Sequence, residues 1–177
     1  MLDIETFSTM PTASILTIGA IKFDRRKKEP CFEEYEPEDV FYRRVDLNSC
    51  VELGLHVDES TIDWWNGQDE ESKVEIFSEE NRYPIRQVME EFAEWIGGVK
   101  CVWSHGSVFD VVIVENVFRK CDIKCPWNFW NVRDTRTAYE LGNVRLTSNS
   151  NNIEHHALHD AHNQILCLKK ALRNINN

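Results

Sequence analysis

Asp3 and Glu5 stand two apart near the start of the chain, within residues 2–6, a stretch that reads as a short strand. Successive strand side chains alternate between faces, so both carboxylates point the same way. Two acids on one buried face repel each other and are costly to desolvate unless a cation sits between them. The plain alternative is a frayed end with both acids in water. Asp110 comes three residues after Ser107. Ser-x-x-Asp suits a helix cap with an acid in the first turn. The same position also follows an apolar strand at 99–103, and the loops after such strands are where α/β sheets place their sites. Residues 155–162, His-His-Ala-Leu-His-Asp-Ala-His, hold four of the six histidines. One reading is a zinc site, since His155, His159 and His162 have helical spacing, although no cysteine pair or HExxH accompanies them. The other centres on Asp160 in the first turn of a last helix, with His155 on the loop before it. Five helical residues would turn the two side chains about 140° apart, so the helix must begin between them for both to reach one site.

The elements that position these groups are legible as periodicities. Strands are expected at residues 2–6, 15–23, 41–45, 99–103 and 128–132. Short helices are expected at 60–65 and 70–77, the second capped by Asp69. After Pro84, Ile85, Val88, Met89, Phe92, Trp95 and Ile96 fall on one helical face, and Gly97-Gly98 stops that helix. Ser107 is expected to cap an apolar helix over 109–118, and a last helix over 158–172 carries the stripe Leu158, Ala161, Ile165, Leu168, Leu172. The order β-β-β-α-β-α-β-α implies an α/β fold, a mixed sheet with helices on its faces. Residues 24–39 mix four consecutive bases with seven acids and two prolines, the composition of a solvated hairpin connection.

The chain has 177 residues, 42% hydrophobic and 28% charged, which excludes disorder, collagen and coiled coil as whole-chain descriptions. Its formal charge of −10 makes it a poor candidate for gripping nucleic acid through a basic surface alone. If it handles phosphates, a bound cation is the obvious source of positive charge. No apolar run is long enough to span a bilayer and no signal peptide is expected at the charged start. The six cysteines form no CxxC pair and read as reduced thiols of a cytoplasmic protein.

Together, Asp-x-Glu on a first strand, Asp after a later strand and His-x4-Asp entering a last helix resemble the DEDDh family of 3′–5′ exonucleases, on the ribonuclease H-like fold. The three motifs are Asp3-Ile4-Glu5-Thr6, Val108-Phe109-Asp110 and His155-His156-Ala157-Leu158-His159-Asp160-Ala161. The segments Ser60-Thr61-Ile62-Asp63-Trp64-Trp65 and Cys125 through Thr137 are similar to one subgroup, the small phage and prophage exodeoxyribonuclease VIII-like enzymes and their mycobacterial exoribonuclease-like relatives. Many members carry Asn four residues before the second-motif Asp, where Gly106 stands here, preceded by His105.

The resemblance implies a ribonuclease H-like α/β domain over residues 1–177, with a mixed five-stranded sheet (three antiparallel strands, then parallel ones) flanked by helices. It implies a metal-dependent 3′–5′ exonuclease that releases nucleoside 5′-monophosphates from 3′ ends of single-stranded DNA or RNA, DNA slightly favoured. Asp3, Glu5, Asp110 and Asp160 would hold two divalent ions, Mg²⁺ or Mn²⁺, with His155 as general base. Substrate contacts would fall to Thr6, Trp64 or Trp65, Phe109, Arg133 and Arg136. Adjacent helical residues cannot share a face, so one of the two tryptophans is expected to pack inward. Arg133 and Arg136 serve equally well as structural partners of Asp134 and Glu140. The readings that compete with this one are an exoribonuclease trimming RNA and a non-enzymatic nucleic-acid-binding or zinc-binding module.

Overall fold

The computed structural model describes residues 1–27, 31–147 and 155–176. Lys28, Glu29 and Pro30 of the expected hairpin connection lie outside the described residues.

Three strands, β1 (Leu2–Thr6), β2 (Ile15–Ile21) and β3 (Val40–Val45), run antiparallel in sequence order. The register sets Asp3 opposite Gly19 and Glu5 opposite Thr17. A short crossover through α1 (Leu47–Glu52), α2 (Glu59–Asn66) and α3 (Glu70–Phe77) returns to β4 (Arg82–Tyr83), parallel to β3 at the sheet edge. The helix α4 (Ile85–Trp95) then leads to β5 (Val102–Ser104), α5 (Asp110–Lys120), β6 (Val132–Asp134), α6 (Thr135–Leu141) and the long α7 (Ala157–Ile175).

The sheet differs from the five strands expected. Four strands, β1–β4, form one ladder, and β5 pairs in parallel with β6 as a separate two-stranded unit that packs beside β1. The physical reason lies at Ile4. Its backbone N–H, on β1, donates to the Asp110 carboxylate, so a side chain takes an amide available to a neighbouring strand. Strand β4 escapes sequence reading because two residues carry no periodicity. The expected strand at 128–132 is instead a 3₁₀ turn over Phe129–Asn131 followed by β6.

Period-two alternation sorts β1 between two cores. Leu2 and Ile4 face α4 and α5, in a core with Ile18, Ala20, Val88, Phe92, Val114 and Phe118. Asp3 and Glu5 face the opposite side, where α6 and α7 supply Tyr139, Leu158, Ala161, Ile165 and Leu168. Helix α7 packs across β2 and β1, which brings its first turn over the two acids.

Gly19 permits that approach. A Cβ there would stand 2.4 Å from the Ala157 carbonyl carbon and 2.5 Å from the Leu158 nitrogen, both backbone atoms of α7. The backbone cannot yield as a side chain does. Gly19→Ala is therefore expected to cost about 1–3 kcal/mol of stability in urea unfolding. It should also lower activity, because α7 carries Asp160. A variant as stable as the parent would refute the close approach.

No helix of the described residues is long and apolar enough to cross a membrane.

Candidate active site

Glu5, His155 and Asp160 come together at the C-terminal half of β1 and the start of α7. Each offers a donor atom, and the three atoms lie within 4.8 Å of one another. Among the described residues this is the one group of three His, Cys, Asp or Glu donors that close. Asp3 and Asp110 adjoin it. Asp3 is close enough to feel the charges of Asp110 and Asp160, and Glu5 those of Asp3, Asp160 and Asp110. Four carboxylates from three distant segments thus lie within reach of one another's charges.

The position of His155 depends on where α7 begins. His156 is the N-cap, its Nδ1 accepting from the Leu158 N–H at 3.3 Å, so His155 stands outside the helix. His155 adopts a left-handed backbone conformation, φ 57°. That conformation is uncommon for a residue with a Cβ and swings the ring out of helical register, which lets it meet Asp160 five positions on.

Electrostatics in the pocket are set by exclusion from water. Burial, followed by the neighbouring charges of Asp110 and Asp160, pushes the Asp3 carboxyl well above its ordinary value, and Gln164 opposes the shift. Burial and the charges of Asp3, Asp160 and Asp110 do the same to Glu5. Asp110, 4% exposed, is pushed up to about 7 by burial, against the opposing hydrogen bond from Ile4 and the charge of Arg136. Arg136 opposes the shift of Asp110 without cancelling it.

Gln164 was not legible as a site residue. Its Nε2 donates to Asp3 Oδ1 at 2.7 Å, and its backbone carbonyl accepts from the Tyr139 hydroxyl at 2.7 Å. The available signal was its spacing, one turn after Asp160 on the same face of α7. Ser107 corrects another expectation. It does not cap α5: the helix starts at Asp110, and the Ser107 N–H and hydroxyl donate to Asp134 Oδ2 at 2.7 and 3.1 Å. Asp134 also caps α6 by accepting from the Arg136 N–H at 2.8 Å, so one carboxylate ties the loop before Asp110 to the end of β6.

The substrate candidates divide. Trp65 is 1% exposed and its indole N–H donates to the Thr6 carbonyl at 2.9 Å, which leaves it no free face for a base. Trp64 is 48% exposed and meets the His155 ring edge-on at 4.9 Å. Thr6 is buried, its hydroxyl donating to the Ser8 carbonyl at 2.7 Å. Phe109 is half-buried at the cap of α5. Arg133 and Arg136 are exposed and join no ion pair among the described residues. The Arg133 guanidinium donates to the carbonyls of Trp130 and Val132. The Arg136 guanidinium lies against Gly106, 2.8 Å from where a Cβ would stand, in a backbone conformation, φ 107°, that favours glycine. The Gly106 position thus leaves room for a cation beside Asp110.

The remaining histidines of the 155–162 cluster stack instead of encircling a cation. His156 lies 4.2 Å from the His159 ring and 4.7 Å from Tyr42, and Phe32 packs on His159 and His162. Burial and the His159 charge push His156 down to about 4, so it is neutral near pH 7.

The comparisons with known proteins bear on what this pocket belongs to. The sequence matches the family model of the 3′-5′ exoribonuclease Rv2179c-like domain over residues 1–172. An exodeoxyribonuclease of Enterobacteria phage T4 is 24% identical, across 98% of this chain and 88% of its own length. With the family match running through nearly all of the sequence, from the acids of β1 to the end of α7, the protein belongs to the Rv2179c-like family and is a 3′-5′ exonuclease.

Proposed function

We propose that the chain shortens single-stranded nucleic acid from the 3′ end, with Asp3, Glu5, Asp110 and Asp160 holding two divalent cations, Mg²⁺ or Mn²⁺, and His155 serving as general base. The observation that carries this reading is the convergence of Glu5, His155 and Asp160 within 4.8 Å, with Asp3 and Asp110 alongside. The donor set fits the ions: carboxylate oxygens suit hard cations, and the raised carboxyls mark a pocket short of positive charge. When bound, such ions neutralise the scissile phosphate and acidify water for attack.

The chain's own residues supply position and proton transfer. His155, half-buried at the pocket, takes the proton of the attacking water. The water oxygen bonds to phosphorus, the bond from phosphorus to the 3′-oxygen of the neighbouring nucleotide breaks, that oxygen takes up a proton from solvent, and the terminal nucleoside 5′-monophosphate leaves. Gln164 and the Ile4 N–H hold Asp3 and Asp110 in place. Trp64 stacks on the terminal base, with Trp65 locked beneath it against β1. Arg136 meets a phosphate oxygen beside Asp110, Phe109 walls the pocket, and Thr6 shapes the ribose end of it through its backbone. DNA is the slightly favoured substrate, in line with the phage relative's name. The reading as an exoribonuclease stands beside it because the family model is described by that activity.

Digestion of 5′-labelled DNA and RNA strands of about 20 nucleotides, with Mg²⁺, Mn²⁺ or chelator, tests the proposal. Stepwise shortening with either metal and none in chelator is expected, faster on DNA. Asp160→Asn and His155→Ala should each lower kcat at least ~10²-fold while the far-ultraviolet dichroism is unchanged. Internal cuts alone, or full activity in chelator, would overturn the mechanism.

The two tryptophans separate binding from packing. Trp64→Ala should weaken strand binding by about 1–3 kcal/mol at unchanged melting temperature. Trp65→Ala should cost about 3–5 kcal/mol of stability. Equal effects of the two substitutions on stability would contradict the division.

The pocket also sets a pH dependence. Raised carboxyls make the folded protein bind protons more tightly than the unfolded chain; for Asp110, pushed up to about 7, the contribution is complete below about pH 4 and is lost as the pH rises through about 7. His156, with its depressed value, acts in the opposite sense below about pH 6.5. In chelator, the melting temperature should therefore fall between about pH 6.5 and 8.5, and Mg²⁺ or Mn²⁺ should restore it at the higher pH. Melting curves indifferent to both would sink the uncompensated cluster.

A further inference from the structure

A second concave surface lies at the end of the sheet where β1 and β5 begin and β2 ends. It is a cavity of about 590 Å³, with Leu2, Ile21 and Val102 in its wall. Five cations line it: Lys22, Arg25, Arg26, Lys100 and Arg133. Asp24 is the single acid among the lining residues, and it accepts from the Arg26 N–H at 2.9 Å. None of the five cations joins an ion pair among the described residues. In a chain of net charge −10 this is a local reversal of sign, and a patch of one sign raises the local concentration of anions.

The cavity is also aromatic. Phe23, Trp95 and Trp103 contribute to its wall, each half-buried. Lys22 sits 4.6 Å over the Trp95 ring and is held there by the Glu38 carbonyl at 3.4 Å. The turn that carries Arg25 and Arg26 is fastened from below. Buried Lys169 of α7 donates to the Lys27 carbonyl at 2.7 Å, and the Lys27 N–H donates to the Asp24 carbonyl.

We propose that this cavity binds the phosphates and bases of the substrate strand upstream of its 3′ end, an extended strand site that rests on the exonuclease reading above. Three features favour a strand over a free nucleotide. The cations come from three separate segments (the turn after β2, the approach to β5, and β6), which matches a series of spaced phosphates. Arg25, Arg26, Lys100 and Arg133 keep their surface in water, as backbone contacts to a strand do. The cavity also lies at the start of the strand that carries Asp3 and Glu5. Leu2 directly precedes Asp3, and Arg133 stands three residues, at most about 11 Å of chain, before Arg136, whose charge reaches Asp110.

The test compares the parent with the Arg25→Glu/Arg26→Glu/Lys100→Glu triple variant, all three positions being exposed. Anisotropy of a labelled strand of about 20 nucleotides, titrated in chelator, reads binding without turnover. Release of nucleotide from the same strand and from a dinucleotide, with Mg²⁺, reads length dependence. The proposal expects the triple variant to bind the long strand at least ~10-fold more weakly, with a salt slope shallower by about 2. It expects kcat/KM to fall on the long strand and to hold within about twofold on the dinucleotide. Equal binding by both proteins overturns the strand site, as does loss of affinity for a free nucleoside triphosphate with strand binding intact. Failure of the parent to hydrolyse either substrate counts against the exonuclease mechanism, and the anisotropy still decides the strand site.

Discussion

Four carboxylates held together, Asp110 buried and Asp3, Glu5 and Asp160 half-buried, are the constraint on which the rest of the structure depends. Asp3 and Glu5 cannot turn apart, because strand alternation fixes both on the face beneath α7. Asp110 is buried against β1 and Asp160 descends from the first turn of α7. Their mutual repulsion and lost hydration oppose folding, as the raised carboxyls of Asp3, Glu5 and Asp110 record. The hydrogen bonds from Gln164 and Ile4 and the charge of Arg136 offset part of that cost, and the rest of the stability comes from elsewhere.

It comes from the two cores on either side of the sheet and from a few contacts that leave the acids no retreat. Leu2 and Ile4 anchor the far side of the strand that bears the acids, within a core that includes Phe92 and Phe118. On the near side, Gly19 lets the backbone of α7 descend onto β2, which brings Asp160 down to the level of Glu5. Polar groups then restrain the carboxylates one at a time: Gln164 holds Asp3, the Ile4 N–H holds Asp110, and Asp134 pins the loop that leads to Asp110. The site is thus preorganised by packing around it while its interior stays electrostatically unfavourable, a common division of labour between scaffold and function.

Much of this was legible in the sequence because it follows from short-range geometry. Period two sets Asp3 and Glu5 on one face, and period 3.6 requires α7 to begin between His155 and Asp160, where the structure starts it at Ala157. The apolar stripe Ile85, Val88, Met89, Phe92 is buried as its spacing requires. Features decided by distant partners were not legible. Ser107 has the local pattern of a cap, but Asp134, brought up by the pairing of β5 with β6, competes for its donors and wins. The six-residue α1 and seven-residue α6 are too short to show a periodic stripe, and they declare themselves through the caps Asp46 and Asp134. Which of Trp64 and Trp65 faces inward depends on the Thr6 carbonyl that receives the Trp65 N–H, a partner 59 residues away. The division of the sheet at Ile4 depends likewise on a side chain from another segment.

The distribution of charge follows from the same constraint. A polyanion must be brought to a pocket that is itself anionic, on a chain that is acidic overall. Cations placed among the four acids would form ion pairs with them, neutralising the carboxylates and occupying the space proposed for divalent ions. Arg136 is the nearest approach to that arrangement, and it stops against Gly106, close enough to lower the Asp110 carboxyl but outside ion-pair distance of any acid among the described residues. Five cations that join no ion pair among the described residues stand instead at the start of β1, around a cavity whose wall includes Leu2, one residue before Asp3. Separation along a single strand keeps the two sets of charges from neutralising each other. It also explains how a protein of net charge −10 need not repel its substrate: within a Debye length of about 8–10 Å, a phosphate approaching the cavity meets the local cations before the field of the whole molecule.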